Sequence, residues 1–272
     1  MDRADIRIEP FFLDSPRGPL FCLYTAPAEQ RPQGAVLYLH PFAEEMHKSR
    51  RMAALQARAM AARGYAVLQI DLTGCGDSAG DFSDASWSAW LDDARLAHAC
   101  LHEKAALPVT LWGLRTGALL AADLARQLLD IHGLLLWQPV SDGSLFLNQF
   151  LRIKLASEML SEGQSKSGTK ELLAQLEAGQ GVEVGGNMLS PAMARELGGL
   201  KLAHLVPQCP VTWLEVGALA GEHLSPASQH IADSWREAGA AVQSRTVAGD
   251  PFWATQEITE CWDLIEATNT SE

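Results

Sequence analysis

Two short apolar stretches, Phe11-Phe12-Leu13 and Leu20-Phe21-Cys22-Leu23-Tyr24, flank Ser15-Pro16-Arg17-Gly18 near the start of the chain. Proline and glycine between apolar runs read as a hairpin turn, so this region predicts an antiparallel edge. The pattern then changes. Ala35-Val36-Leu37-Tyr38-Leu39 is apolar at every position, as expected of a strand covered on both faces. Residues 52–63 follow with helical spacing and stop at Gly64, a residue suited to a helix C-cap. The same alternation repeats: strand 66–70, helix 87–102, strand 108–112, helix 118–129, strand 133–137. Strictly alternating strands and helices predict a parallel sheet flanked by helices.

At residue 142 the alternation breaks. Residues 142–206 carry a helix at 145–160, a polar break at 161–168, a second helix at 170–177 and a glycine-rich stretch at 179–186. This segment reads as a helical cap inserted over the sheet, either mobile or rigid. The alternating pattern resumes with strand 211–216, helix 226–238, strand 242–248 and helix 255–267. The predicted organisation is one α/β domain, its core formed by residues 1–141 and 207–272 and its cap by 142–206.

A hairpin, alternating units, an insertion and two closing units is the order of an α/β-hydrolase. That fold places its nucleophile in G-x-S-x-G on a sharp strand-to-helix turn. Here the turn reads Gly113-Leu114-Arg115-Thr116-Gly117. A guanidinium stays protonated and cannot attack a carbonyl. Thr116 is one position late for the role. Arg115 at a helix start is therefore either a receptor for an anion or an internally paired cation. The base position after the last strand holds Asp250, a carboxylate that could face Arg115. The acid position after strand 211–216 holds Leu219 and Ala220, with Glu222 a later candidate. In the oxyanion region, His40-Pro41-Phe42-Ala43-Glu44-Glu45, Pro41 lacks an N–H, so Phe42 is the first amide able to donate. Glu44 and Glu45 are candidates to bind Arg115, a cation or an amine, or are plain surface acids. His40 reads as structural. In the loop from Asp71 to Gly80, Asp71 and Ser78 would order the turn, and Cys75 lies near the edge where ligands bind. As a thiol it is either structural or, beside a cation, reactive.

Composition narrows the partners. Lys plus Arg number 21 and Asp plus Glu 33, a net charge of −12. That balance disfavours a phosphate backbone and a polybasic membrane anchor. Five cysteines without C-x-x-C spacing predict neither a disulfide framework nor a metal site. The acidic start and the short apolar run Leu134-Leu135-Leu136-Trp137 predict no signal peptide and no membrane span, hence a soluble, cytoplasmic protein. No cofactor motif is present. A small-molecule ligand is expected, and monomer and homo-oligomer both stay open.

The motifs also resemble a particular family. Pro41-Phe42-Ala43-Glu44-Glu45-Met46, Lys48-Ser49-Arg50-Arg51-Met52, the Asp71 loop and Trp112-Gly113-Leu114-Arg115 are similar to the second type of hydrolase associated with exosortase A systems. Leu136-Trp137-Gln138-Pro139-Val140, Phe150-Leu151-Arg152 and Pro251-Phe252-Trp253 fit as well, and add Gln138 to the binding candidates Phe42, Thr116, Cys75 and Glu222. The resemblance implies an α/β-hydrolase fold and genomic company with exopolysaccharide synthesis and exosortase-dependent protein sorting (PEP-CTERM). Two functions follow as expectations. One is a hydrolase of esters or thioesters with a rearranged site of Arg115, Glu44, Glu45 and Asp250. The other is a non-catalytic protein that binds an anionic metabolite or serves that machinery.

Overall fold

The computed structural model describes residues 5–162, 168–221 and 223–270. An antiparallel hairpin, β1 (Ile6–Leu13) and β2 (Leu20–Pro27), leads into β3 (Gly34–Leu39), α1 (Glu44–Ala62), β4 (Tyr65–Ile70) and α2 (Trp87–Ala105). Then come β5 (Val109–Leu114), α3 (Thr116–Ala125) and β6 (Ile131–Trp137). The segment expected as a cap holds α4 (Gly143–Glu162), α5 (Thr169–Glu177), β7 (Val182–Val184), β8 (Asn187–Leu189) and α6 (Pro191–Gly198). The chain closes with β9 (Val211–Gly217), α7 (Pro226–Glu237), β10 (Val242–Ala248) and α8 (Trp262–Thr270).

Eight strands form one sheet in the order β1-β2-β4-β3-β5-β6-β9-β10. β2 pairs antiparallel with β1 and β4, and every pairing from β4 to β10 is parallel. The parallel strands are apolar at successive positions because both of their faces are covered. Leu37, Leu39, Leu111, Leu136 and Trp213 bury against Trp90 and Leu101 of α2, Leu120 of α3 and Trp235 of α7. The opposite face, with Val36, Tyr38, Trp112, Leu135 and Trp137, buries against Met52 and Met60 of α1 and Leu264 and Ile265 of α8. This is the α/β-hydrolase fold.

Side chains of the inserted segment, among them Phe146, Phe150, Leu176, Val184 and Leu197, join the same apolar cluster as Leu37 and Leu111. An antiparallel bridge between Asp142 and Lys201 closes the base of the segment. No helix among the described residues is long and apolar enough to cross a membrane.

Four boundaries differ from the sequence reading. α1 begins at Glu44, eight residues before the expected start, because Glu44, Glu45, His47 and Lys48 hide the one apolar face that Met46 contributes. α3 ends at Ala125, and Leu129, expected inside it, is 96% exposed. The glycine-rich stretch includes a β-hairpin, β7–β8, whose two turn residues, Gly185 and Gly186, both have positive φ. The final helix starts at Trp262, after Pro251 to Ala254 have formed a turn. The expected break at 161–168 falls mostly outside the described residues.

Candidate active-site cavity

Between β5 and α3 the backbone turns on Arg115, at φ 57° and ψ −118°. A non-glycine residue rarely holds such torsions, and their strain has to be held by the surroundings. Here Arg115 N–H donates to the Trp137 carbonyl at 3.0 Å, and Val140 N–H donates back to the Arg115 carbonyl at 3.2 Å. The flanking glycines are steric requirements. A Cβ on Gly113 would meet the Gly117 carbonyl oxygen at 2.3 Å, and one on Gly117 would meet that of Leu39 at 2.1 Å. Ala43, just ahead of α1, holds nearly the same torsions, φ 48° and ψ −122°. Two neighbouring parallel strands, β3 and β5, thus each lead into a helix through a strained residue, and both helix starts border one cavity.

That cavity has a volume of about 190 Å³. Phe42, Phe146, Phe150, Ile153 and Trp253 form its apolar walls, and Glu44, Glu45, Lys48, Arg115 and Gln149 its polar ones. Phe42 is held edge-on by Phe82, Trp90, Phe146 and Phe150, with ring centroids 5.0–5.6 Å apart. Arg115 Nε donates to both Glu45 oxygens, at 3.1 and 3.4 Å. Its guanidinium lies 5.6 Å from the Trp253 ring centroid, a cation–π contact. Among the described residues Glu45 is its acceptor, and that bond uses Nε, so the Nη groups keep their N–H donors free. Burial pushes the Glu45 carboxyl above its ordinary pKa, with Arg115 and Lys48 opposing.

The other sequence candidates lie as follows. Glu44 also lines the cavity, and its carboxylate rests against the backbone of Gly185 at the tip of the β7–β8 hairpin. Asp250 is exposed and does not reach Arg115; Trp253, three residues later, takes the place beside the guanidinium. Thr116 is 1% exposed and its Oγ is buried without a hydrogen-bond partner among the described residues, so the hydroxyl does not face the cavity. As the first residue of α3, however, its N–H has no carbonyl within the helix to bond. Gln138 is structural: its Oε1 accepts Val216 N–H at 2.8 Å and ties β6 to β9. Cys75 is buried in the apolar cluster, where burial, with the nearby Asp71 charge, raises its thiol far from the thiolate form. Glu222 lies outside the described residues. Leu219, at the expected acid position, is 81% exposed.

His40 and the Asp71 loop hold the sheet edge in shape. His40 Nδ1–H donates to the Pro41 carbonyl at 2.8 Å, and Nε2 accepts Leu72 N–H at 3.1 Å. Asp71 accepts from Arg50 at 2.8 Å and from Asp77 N–H at 3.0 Å, while Ser78 Oγ accepts Phe21 N–H at 2.8 Å. Of the cavity walls, sequence reasoning singled out Phe42 but passed over Lys48, Phe146, Gln149, Phe150 and Trp253 as site residues. For Lys48 a signal existed, since it follows Glu44 and Glu45 at helical i, i+4 and i, i+3 spacing. Among the described residues no cluster of His, Cys, Asp and Glu is arranged to hold a metal ion.

The sequence profile of a family described as serine aminopeptidase, S33 (Hydrolase_4), matches residues 30–174, more than half of the chain. No curated protein matches the sequence. Among solved structures, Est1E from Butyrivibrio proteoclasticus with ferulic acid bound superposes with a TM-score of 0.71 at 17% identity, over 96% of this chain and 97% of its own. An alpha-beta serine hydrolase homologue from Coxiella burnetii gives 0.59 at 14% identity, over 97% of both chains. A thermostable carboxyl esterase from Bacillus coagulans in complex with glycerol gives 0.58 at 15% identity, over 90% of both. At these identities the likeness is one of fold.

Proposed function

We propose, from the premise that this chain belongs to the Hydrolase_4 family of serine aminopeptidases (S33), that its cavity binds a small anion at Arg115 and performs no acyl-serine chemistry. One observation carries this reading. The elbow keeps its strained backbone and its steric glycines, yet presents a guanidinium with free Nη donors to an aromatic-walled cavity. Such a fork suits the two oxygens of a carboxylate. Thr116, the first residue of α3 beside Arg115, has an N–H without a partner inside its helix, and Phe42 lines the same cavity, so their amides are candidate donors for the same charge. An exposed Asp250 at the expected base position and an exposed Leu219 at the expected acid position support a site that works without a Ser-His-Asp relay.

Two measurements test it. A fluorophosphonate probe should leave the protein unlabelled, and stoichiometric labelling of any Ser or Thr would overturn the reading. Millimolar benzoate should raise the melting temperature, because a ligand that binds only the native state stabilises it. Arg115→Ala should abolish that rise.

A second reading draws on Glu45. A carboxylate with a raised pKa beside a cation can activate water as a general base. Ester hydrolysis that increases with pH through the Glu45 titration and is lost in Glu45→Gln would favour it. We also propose, from the resemblance of the Pro41–Met46 block, that the protein serves an exosortase A-linked polysaccharide or sorting system in the cytoplasm. A gene lying apart from any exosortase gene would count against that.

A further inference from the structure

An anion at Arg115 arrives beside a carboxylate already there. Among the described residues four charged side chains line the cavity, Glu44 and Glu45 against Lys48 and Arg115, so these charges balance when all are ionised. A bound monoanion would add one uncompensated negative charge between Phe42, Phe150 and Trp253, where solvent screens poorly.

We propose that the cavity takes a small monocarboxylate with an apolar body together with one proton, and that Glu45 holds the proton. This rests on the reading that Arg115 binds an anion. The geometry has room for both partners. Glu45 occupies Nε of Arg115 and leaves the Nη groups to the ligand. Once protonated, the Glu45 carbonyl oxygen still accepts from Nε–H, and its O–H can donate to the incoming carboxylate, a short charge-assisted bond.

Among the described residues no other acid is placed for the role. Glu44, on the same helix, turns its carboxylate toward Gly185. α4 contributes Gln149 and apolar side chains, and the segment after β10 contributes Trp253 and Ala254. The remaining charges toward Glu45 are the cations Lys48 and Arg115. Burial of Glu45 already biases it toward the protonated form. The size also sets the class. At about 190 Å³ the cavity is smaller than the roughly 300–1,000 Å³ of drug-sized sites, so one ring or a short chain fills it.

The test is titration calorimetry of the full chain with benzoate from pH 6 to 8, in buffers of unlike ionisation enthalpy, with benzamide as the neutral control. The expected result is uptake of about one proton per benzoate and an apparent Kd that falls up to ~10-fold per unit of pH decrease. Glu45→Gln should bind with little pH dependence, at pH 8 as tightly as the wild type at pH 6. Benzamide should bind at least ~10-fold more weakly than benzoate at pH 6, since it brings no charge to the fork. Benzoate binding without proton uptake, or pH dependence that persists in Glu45→Gln, would overturn the proton linkage and leave the anion site standing. No benzoate binding at any pH, in a wild type that melts cooperatively, would overturn the anion site and the linkage with it.

Discussion

Arg115 holds strained torsions, φ 57° and ψ −118°, at the sharp turn from β5 into α3, and its guanidinium stays protonated. The strain is kept because the neighbours enforce it. Gly113 and Gly117 let β5, α3 and β3 approach one another more closely than any Cβ would permit. Gly117→Ala should therefore be among the most damaging single substitutions in the chain. Its Cβ would meet backbone, the Leu39 carbonyl at 2.1 Å, which cannot swing aside as a side chain can. A loss of at least about 3 kcal/mol in urea unfolding, or failure to fold, is expected. Gly239→Ala is a useful contrast. Among the described residues no atom lies within 4 Å of where its Cβ would sit, and its φ of 97° opposes the change, so a loss of about 1–2 kcal/mol should follow.

At the scale of elements, strands and helices were legible because parallel strands are apolar throughout and helices are apolar on one side. The elbow was legible for a related reason: its glycines are demanded by local geometry, and local geometry is written in consecutive residues. The partner of Arg115 was not. Asp250 and Glu45 are both acids at loop or helix starts, and only the packing of Trp253 over the guanidinium decides between them. Glu215 is a second case. It lies buried in β9, near the place where an acid of the fold would be sought. Yet it accepts Ser225 N–H at 2.8 Å and Ser225 Oγ–H at 3.2 Å, which anchors the start of α7. Glu215→Ala should cost about 2 kcal/mol by leaving these donors unmet inside the protein. The loss should appear in urea unfolding, and hydrogen exchange should be fastest in the first turn of α7. Glu215→Gln, which keeps one acceptor, should lose less.

Across the whole molecule, pH acts through groups that burial holds away from their ordinary ionisation. His40 and His98 are both buried, and burial lowers the pKa of each below 6.5. As pH drops through 6.5, the unfolded chain takes up protons at these rings and the native state does not. Stability should therefore fall below about pH 6.5, by at most ~1.4 kcal/mol per pH unit for each ring. Glu45 acts in the opposite direction. Its raised pKa means the native state takes up a proton before the unfolded chain does, so its contribution grows as pH falls toward 4.5. The histidine part can be isolated. Among the described residues His98 Nε2 has no hydrogen-bond partner, Asp130 lies 4.0 Å from it and the ring stacks on His102, so His98→Phe keeps the packing and removes the titration. Urea midpoints at pH 7.5 and 5.5 should differ less in His98→Phe than in the wild type, and an equal difference would show that His98 does not contribute.

A guanidinium fixed at the elbow also changes what the site can tell apart. A serine elbow meets a neutral acyl group and creates negative charge on it during reaction, so its donors are matched to something that exists only in passing. With Arg115 in that place the charge must already be there when the molecule arrives. On the proposed reading an acid and its methyl ester, alike in shape, are then unlike to this protein: the acid fits the fork and the ester leaves it unmatched. The same scaffold that elsewhere consumes esters would here report on whether they have been cleaved.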